Sequence, residues 1–220
     1  LHSYNMKTFI LCLLAASALA APSGKPQFKR GLNKIVGGTD AAPGEITYQV
    51  SFQDNSYLNP FHFCGGSVYT ETWAITAAHC VQGEDFANPQ NLQIVAGDLD
   101  IDDDTEGTEQ VRIVTRIIQH EGYRPLTISN DISLLALDSA LTFNSAVQPI
   151  ALPAAMQTSS GLARVTGWGA LSEGGNSPSI LQKVEVPIVT DEECRAAYGE
   201  SDVEDSMICA GVPEGGLDSC

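Results

Sequence analysis

Residues 62–80 read HFCGGSVYTETWAITAAHC, and this stretch does most to decide the fold. It contains a run at 66–69 that predicts a strand, because valine and tyrosine are enriched in strands. The stretch ends on His79, which follows three small residues and adjoins Cys80. A bridge from Cys80 to Cys64 would close a loop of about 15 residues, at an entropic gain of roughly 3 kcal/mol, and would hold the imidazole rigidly.

Short β-rich runs separated by turn signals continue along the rest of the chain and predict an all-β sandwich or barrel. One helix is predicted after Thr190, because Thr190 and Glu193 have the spacing of a capping box. Residues 152–161, which include Pro153 and several small residues, are interpreted as a linker between two β units. The predicted strands are 48–52, 66–69, 92–96, 110–118, 133–137, 163–166, 181–189 and 207–210.

The first 34 residues are interpreted as targeting and processing segments. Residues 6–20 have a charged start, an apolar run and a small-residue end, the pattern of a secretory signal peptide. The apolar run is shorter than the roughly 20 residues that a membrane span needs. Residues 1–5 precede a credible initiator Met6 and are interpreted as translated leader. Residues 21–34 are rich in Pro, Gly and Lys and predict a disordered propeptide. A secreted, extracellular protein is expected.

Charge separates at the same boundary. The chain has 11 basic and 27 acidic residues, but five of the basic residues and none of the acidic ones precede Ile35. Residues 35–220 therefore carry six basic and 27 acidic residues, a net charge of −21. This balance excludes a nucleic-acid partner held by phosphate contacts. It favours either cationic peptide substrates or a purely solubilising surface.

Asp131 precedes the apolar run at 132–137, which predicts that its carboxylate is buried. A buried carboxylate needs a partner, and the ring N–H of a histidine is a natural one. A general base must lie within hydrogen-bond reach of its nucleophile, and a rigid His79 meets that need. Taken singly, each residue is more often structural. Together they predict an acid–base pair.

The stretch SMICAGVPEGGLDSC at 206–220 reads as the approach to a nucleophilic serine. Cys12 belongs to the signal peptide, so five cysteines remain in the mature part. An odd number in a secreted chain leaves one thiol unpaired. The expectation is that the partner of Cys220 and the serine both follow the last residue.

From Ile35 to Cys220 the chain resembles the trypsin-type serine proteases of the chymotrypsin fold, most closely the invertebrate digestive trypsins. The resemblance implies two six-stranded Greek-key β-barrels, with the second incomplete here. The first barrel is expected at about 35–151 and the partial second barrel at about 162–220. The matching segments are IVGG at 35–38, YQVSF at 48–52, HFCGGS at 62–67, TAAHC at 76–80, NDISLL at 130–135, VTGWG at 165–169 and MICAGVPEGG at 207–216.

The resemblance implies a role for each residue of the acid–base pair. His79 would act as general base and then as general acid, and Asp131 would fix its tautomer and stabilise the imidazolium. The serine and the N–H groups of the oxyanion hole would follow Cys220, so the chain as given is expected to be inactive. Asp218 matches the carboxylate at the base of the specificity pocket, which selects Lys or Arg side chains.

The resemblance also implies how the protease is activated and cross-linked. Cleavage between Lys34 and Ile35 would free an amine that pairs with an aspartate beside the serine. Ser51 and His62 match positions that hold the same aspartate in the zymogen, although a purely structural His62 is an equal alternative. Disulfides Cys64–Cys80 and Cys194–Cys209 are expected, which would leave Cys220 as a free thiol.

Acidic residues crowd the segment 98–109, and carboxylate oxygens are the ligands that Ca²⁺ prefers. The family has a calcium loop in this region, and residues 106–109 match its end, whereas 100–105 do not align cleanly. A solvated acidic loop without an ion is the alternative. The proposed calcium ligands are Asp98, Asp100, Glu106 and Glu109.

These observations predict a secreted endopeptidase zymogen, a monomer without a membrane partner, that digests proteins after Lys or Arg. Its activator would be another protease or a second copy of itself. No cofactor is expected for the chemistry beyond a structural Ca²⁺. The alternative from another class is a non-catalytic protease homologue that keeps the fold, His79 and Asp131 and acts by binding.

Overall fold

The computed structural model describes residues 35–219, except for residues 57, 84–88, 104, 156, 173–174 and 213–217. The segments interpreted as leader, signal peptide and propeptide, together with Cys220, lie outside the described residues. The described chain contains twelve short strands and one α-helix. In chain order the strands are β1 (Ile35–Val36), β2 (Thr39–Asp40), β3 (Gln49–Asp54), β4 (Phe61–Thr70), β5 (Trp73–Thr76), β6 (Leu92–Ala96), β7 (Gln110–Gln119), β8 (Ser133–Leu137), β9 (Leu162–Gly167), β10 (Gln182–Val189), β11 (Cys209–Ala210) and β12 (Asp218–Ser219).

Six antiparallel strands close into a barrel in the order β3-β4-β5-β8-β7-β6. Closure leaves no free sheet edge, so each strand pairs on both sides. The barrel is filled by apolar side chains that point inward from all six strands, a cluster that includes Val50, Phe52, Val68, Ile94 and Leu135. The predicted β architecture is therefore confirmed as a barrel for this half of the chain.

Two adjacent glycines lie inside β4, at Gly65 and Gly66. A Cβ atom on Gly66 would lie 2.6 Å from the carbonyl oxygen of Ile75 on the neighbouring β5. Only glycine permits this approach, because no real Cβ atom sits so close to a backbone oxygen. The close packing of β4 on β5 brings Cys64 near the turn that follows β5.

A second sheet is organised around β10. This strand pairs along most of its length with β9, and on its other side with β2 at Gln182 and Lys183 and with β11 at Ile188 and Val189. Val184 and Val186 of β10 form a small core with residues of β9 and β11. Between this sheet and the barrel lies a third apolar cluster, built on the buried Trp168.

The helix α1 (Asp191–Tyr198) follows β10 directly. Thr190 accepts a hydrogen bond from the backbone N–H of Glu193, and the side chain of Glu193 accepts one from the backbone of Thr190, which confirms the predicted capping box. The described residues of the segment 151–161, which are all of it except residue 156, form no strand or helix. Among the described residues, no helix has the length and apolar character to cross a membrane.

Candidate active site

His79 lies at the centre of a single 3₁₀ turn, Ala78–Cys80, just after β5. The Oγ1 of Thr76, the last residue of β5, donates to the carbonyl oxygen of Gly65 at 2.8 Å. A disulfide joins Cys80 to Cys64 on β4 with a Cα–Cα distance of 6.3 Å. The turn is thus fastened to two neighbouring strands of the closed barrel, which limits the movement of the imidazole.

Asp131 reaches the site from the loop between β7 and β8. The residue before it, Asn130, adopts φ 53°, a left-handed conformation that asparagine tolerates better than most residues. The side-chain amide of Asn130 donates to the carbonyl oxygen of Gly122 at 3.0 Å, and its backbone N–H to Ser206 Oγ at 3.3 Å. These contacts close the loop on itself and connect it to the chain after α1.

His79 and Asp131 meet through two contacts. The ring Nδ1 of His79 lies 2.7 Å from Asp131 Oδ2, and the backbone N–H of His79 donates to Oδ1 at 2.8 Å. An Nδ1–H that donates to a carboxylate leaves the lone pair on Nε2, so the ring has the tautomer that a general base needs. The predicted acid–base pair is brought together in this structure.

The surroundings of the pair differ from the sequence-based expectation in one respect. Asp131 lies two residues before β8. Its side chain is 21% exposed to solvent, and that of His79 is 45% exposed. The carboxylate is therefore only partly buried, because the polar loop rather than the apolar strand surrounds it. The imidazole faces solvent, where a substrate would approach.

Nε2 of His79 is the atom that would accept a proton. The described contact of this nitrogen is with Cys80 Sγ at 3.6 Å, a weak interaction with a sulfur in a disulfide. Among the described residues, no serine hydroxyl is hydrogen-bonded to Nε2. These residues thus supply a base and its orienting carboxylate.

The second disulfide joins Cys194 of α1 to Cys209 of β11. It anchors the helix to the sheet, with Cys194 buried. The prediction that Cys220 is a free thiol concerns a residue outside the described part.

The predicted activation residue Ile35 and the predicted specificity residue Asp218 lie on paired strands. Strand β1 pairs with β12, with Ile35 opposite Ser219 and Val36 opposite Asp218. The side chains of both strands, including the carboxylate of Asp218, are outside what the structure describes, as is Lys34. The backbone thus joins Ile35, the expected start of the mature chain, to the segment expected to form the specificity pocket.

His62, the second residue of β4, takes part in a small polar network with residues of β3. Its Nδ1 lies 2.8 Å from Ser51 Oγ, which also accepts from Gln53 Nε2 at 3.0 Å. The ring packs edge-on against Trp168 with 5.3 Å between centroids. Burial lowers the pKa of His62 to about 4, so the ring is neutral at physiological pH. The structure thus gives His62 the contacts of a satisfied structural histidine.

The acidic segment contains an orphaned buried oxygen. Asp98 Oδ1 is buried without a hydrogen-bond partner. Burial raises the pKa of Asp98 to about 7, and the negative charges of Glu106 and Glu109 add to the shift. Glu106 accepts from the backbone N–H of Leu99 at 3.0 Å, and Glu109 from that of Glu106 at 3.1 Å. Such a carboxylate group is an electrostatic fit for a cation.

Within the described chain, however, no three of these carboxylates lie within 4.8 Å of one another. The one such group of potential ligands is Cys64, His79 and Cys80, and both of its cysteines are in a disulfide. Oxidised sulfur is not a thiolate ligand, so that group is no metal site. A cation at the acidic segment would have to draw its carboxylates together.

Sequence reasoning missed the residues that support the turn of His79. Gln119, the last residue of β7, donates through Nε2 to the carbonyl oxygens of Ala78 at 3.0 Å and Val81 at 3.3 Å. Gln82 Nε2 donates to the carbonyl oxygen of His79 at 3.2 Å and to the hydroxyl of Tyr123 at 3.0 Å. No local pattern signals these contacts: three of the four join parts of the chain about 40 residues apart, and the fourth, from Gln82 to His79 O, spans three residues but forms part of the same long-range link to Tyr123.

Comparison with known proteins gives consistent similarities. The family model described as Trypsin matches residues 35–220. Trypsin-1 of Astacus astacus is 59% identical over 186 residues, which cover 84% of this chain and 78% of that protein. Trypsin II-P29 of Gallus gallus is 37% identical over 213 residues, which cover 96% of this chain and 78% of that protein. Trypsin of Xenopus laevis is 36% identical over 216 residues, covering 98% and 79%.

Proposed function

The chain belongs to the trypsin family of serine proteases, and on that premise we propose that the protein is a secreted digestive endopeptidase, made as a zymogen, that cleaves after Lys or Arg. As a member of this family it acts on protein substrates. The observation that carries the proposal is the contact between His79 Nδ1 and Asp131 Oδ2 at 2.7 Å, in a side chain that is 45% exposed.

In the proposed reaction, Nε2 of His79 takes the proton of a serine hydroxyl supplied by residues outside those described. The serine oxygen bonds to the carbonyl carbon, the peptide C–N bond breaks, and the leaving amine takes the proton back from Nε2. Water then hydrolyses the acyl-enzyme with His79 again as base. Asp131 stabilises the imidazolium formed in each half-reaction. These roles are those of the family and are carried over residue by residue.

Specificity for Lys or Arg is assigned to Asp218. The support is its position in the segment that matches the family, two residues before Cys220. A carboxylate at the base of a pocket selects cationic side chains, because an uncharged side chain would leave the buried charge unpaired. The strongly acidic chain would also attract basic substrates over a longer range.

Activation is assigned to cleavage between Lys34 and Ile35. The pairing of Ile35 with Ser219 supports this, because it anchors the new N-terminus beside the segment that carries Asp218. A chain end fixed at that place would order the specificity pocket. An activator that cleaves after lysine, including a second copy of the enzyme, fits this junction. The protease is proposed to act as a monomer.

A structural Ca²⁺ is proposed at the acidic segment, held by Asp98, Asp100, Glu106 and Glu109. The orphaned Asp98 Oδ1 and the raised pKa of Asp98 support it. A divalent cation would neutralise carboxylates that otherwise repel one another. The ion would stabilise the loop between β6 and β7 and would take no part in the chemistry.

Labelling with a serine-directed phosphonate tests the function. The 220-residue chain should not be labelled, because no described serine is bonded to Nε2. The chain extended to its natural stop codon and cleaved after Lys34 should be labelled, and should hydrolyse Arg and Lys esters. Labelling of the 220-residue chain contradicts the proposal. An extended, cleaved chain that is folded but neither labelled nor active would favour the non-catalytic homologue instead.

A further inference from the structure

The turn that carries His79 is not stable by itself. Its internal hydrogen bonds are long, with Cys80 N donating to Ala77 O at 3.3 Å and Val81 N to Ala78 O at 3.2 Å. The residue before it, Ala77, supplies no side-chain cap. A single 3₁₀ turn with such bonds has little intrinsic stability. The orientation of the imidazole therefore depends on groups that hold the turn from outside.

Gln119 holds the turn from the barrel side. Its Nε2 reaches the carbonyl oxygens of Ala78 and Val81, which flank His79 on both sides. Gln119 pairs with Ser133 on β8, and the next residue, His120, donates its N–H to Ile132 O. The same pair of strands that positions Gln119 also presents Asp131. One amide thus ties the turn of the base to the strands that present its carboxylate.

Gln82 holds the turn from the solvent side. Its Nε2 donates both to the carbonyl oxygen of His79 and to the hydroxyl of Tyr123. Partial burial, with a smaller contribution from the charge of Asp131, raises the pKa of Tyr123. Tyr123 lies in the loop between β7 and β8, which also carries Asp131. The turn is linked to this loop a second time.

We propose that Gln82 and Gln119 are positioning residues that together hold the His79 turn at the distance at which Nδ1 meets Asp131 and Nε2 faces the nucleophile. They are not catalytic residues, because their contacts are with backbone carbonyls and with Tyr123. Their four hydrogen bonds, to three carbonyl oxygens and one hydroxyl, add to the Cys64–Cys80 disulfide and to the bond from His79 N–H to Asp131 in holding the turn from outside. The kinetic consequence rests on the proposed function, in which His79 is the general base.

The structural part of the inference is tested on the 220-residue chain by NMR. The Nδ1 proton of His79 should give a slowly exchanging signal, because it lies between the ring and Asp131. Gln119→Met and Gln82→Met keep side-chain length and remove the donors, so the signal should exchange faster or broaden. Gln148→Met, which removes an exposed glutamine bonded to Asn144 O and not to the His79 turn, should leave it unchanged. Equal exchange in all four proteins overturns the inference whether or not the chain is a protease.

The kinetic part is tested on the extended, cleaved enzyme. Gln119→Met should lower kcat about tenfold and Gln82→Met about threefold, with KM unchanged within about twofold, since a displaced base slows the chemistry without altering substrate contacts. Gln82→Lys, which restores a donor, should recover most of the activity lost in Gln82→Met.

If the wild-type enzyme has no activity, the proposed function is rejected and this inference is not. An active wild type whose two variants keep full kcat, or change only KM, rejects the positioning role. Gln82 is exposed and its variant is expected to fold, so a misfolded Gln119→Met does not prevent the test.

Discussion

The carboxylate of Asp131 binds His79 twice, through the ring Nδ1 on one oxygen and through the backbone N–H on the other. The residues are 52 positions apart in the sequence. One contact fixes the rotation of the ring and the other fixes its Cα. A single substitution at Asp131 therefore disturbs both the position and the tautomer of the base.

Asp131→Asn in the extended, cleaved enzyme should lower kcat by roughly 10⁴-fold, which is the magnitude that this substitution has in the family to which the chain belongs. The amide would present an N–H group to the ring and favour the wrong tautomer. Ester hydrolysis under saturating substrate measures the change. The control is Asp138→Asn, which alters an exposed carboxylate just after β8 that accepts from Ile113 N. A loss below about tenfold at Asp131 would mean that another group orients His79.

The lowered pKa of His62 predicts that the folded protein loses stability in acid. This pKa is lowered in the folded chain, so the neutral ring contributes stability that is complete above about pH 6.5 and is lost as the pH falls towards about 4. Between pH 7 and pH 4.5, wild type should lose about 2 kcal/mol more stability in urea unfolding than His62→Gln. His120→Gln, at an exposed histidine, is the control and should follow wild type. Parallel curves for wild type and His62→Gln would show that the ring is not desolvated.

Asp98 should have the opposite effect on how the stability of the folded chain changes with pH. Its pKa is raised in the folded chain, so in calcium-free buffer stability falls as the pH rises from about 4 to about 7. Asp98→Asn should be more stable than wild type by about 1 kcal/mol at pH 8 without calcium and equal to it at pH 4. Adding Ca²⁺ should stabilise wild type more than the variant. Asp102→Asn, at an exposed neighbour, should respond to calcium like wild type. An equal response of Asp98→Asn would remove Asp98 from the ligand set.

Most of the fold can be predicted from local patterns. The predicted strands at 92–96 and 133–137 match β6 and β8 residue for residue, and the capping box places the start of α1. The strand predicted at 66–69 is shorter than β4, because the interior glycines weaken the strand signal although close packing on β5 requires Gly66. The two-residue strands β1, β2 and β12 have no local signal, because long-range pairing alone defines them.

The residues of the candidate site likewise include some that local sequence patterns predict and others that they do not. His79 and Asp131 can be found because each stands beside a recognisable motif. Their mutual distance and the partial exposure of Asp131 are properties of the loop between β7 and β8, whose left-handed Asn130 leaves no clear local signal. Gln82 and Gln119 cannot be found, because each binds a group about 40 residues away, and such a glutamine has the same sequence context as one without that contact.

Calcium removal should speed self-digestion of the active enzyme. A cation at 98–109 would suppress local opening of the adjoining β7, which carries two of the six basic residues of the segment 35–220, Arg112 and Arg116. Arg112 is held by bonds to Ala140 O, whereas Arg116 is exposed beside an irregularity in the pairing of β7 with β8. With a chelator, early cuts should therefore fall at these two residues. Mass spectrometry of the fragments gives the sites, and identical rates and sites with and without calcium would leave the acidic segment as a solvated loop.

Lys34 should control activation of the zymogen. The segment 21–34 lacks acidic residues, so nothing in it repels an acidic protease, and lysine is a residue that an Asp218 pocket would select. Lys34→Gln in the extended zymogen should abolish self-activation, because glutamine leaves the pocket charge unpaired. Lys29→Gln, five residues earlier, is the matched control and should activate like wild type. Ester hydrolysis over time, started with a trace of active enzyme, follows the reaction. Unchanged kinetics in Lys34→Gln would place the activating cut at another bond and would leave the pairing of Ile35 with Ser219 without a role in activation.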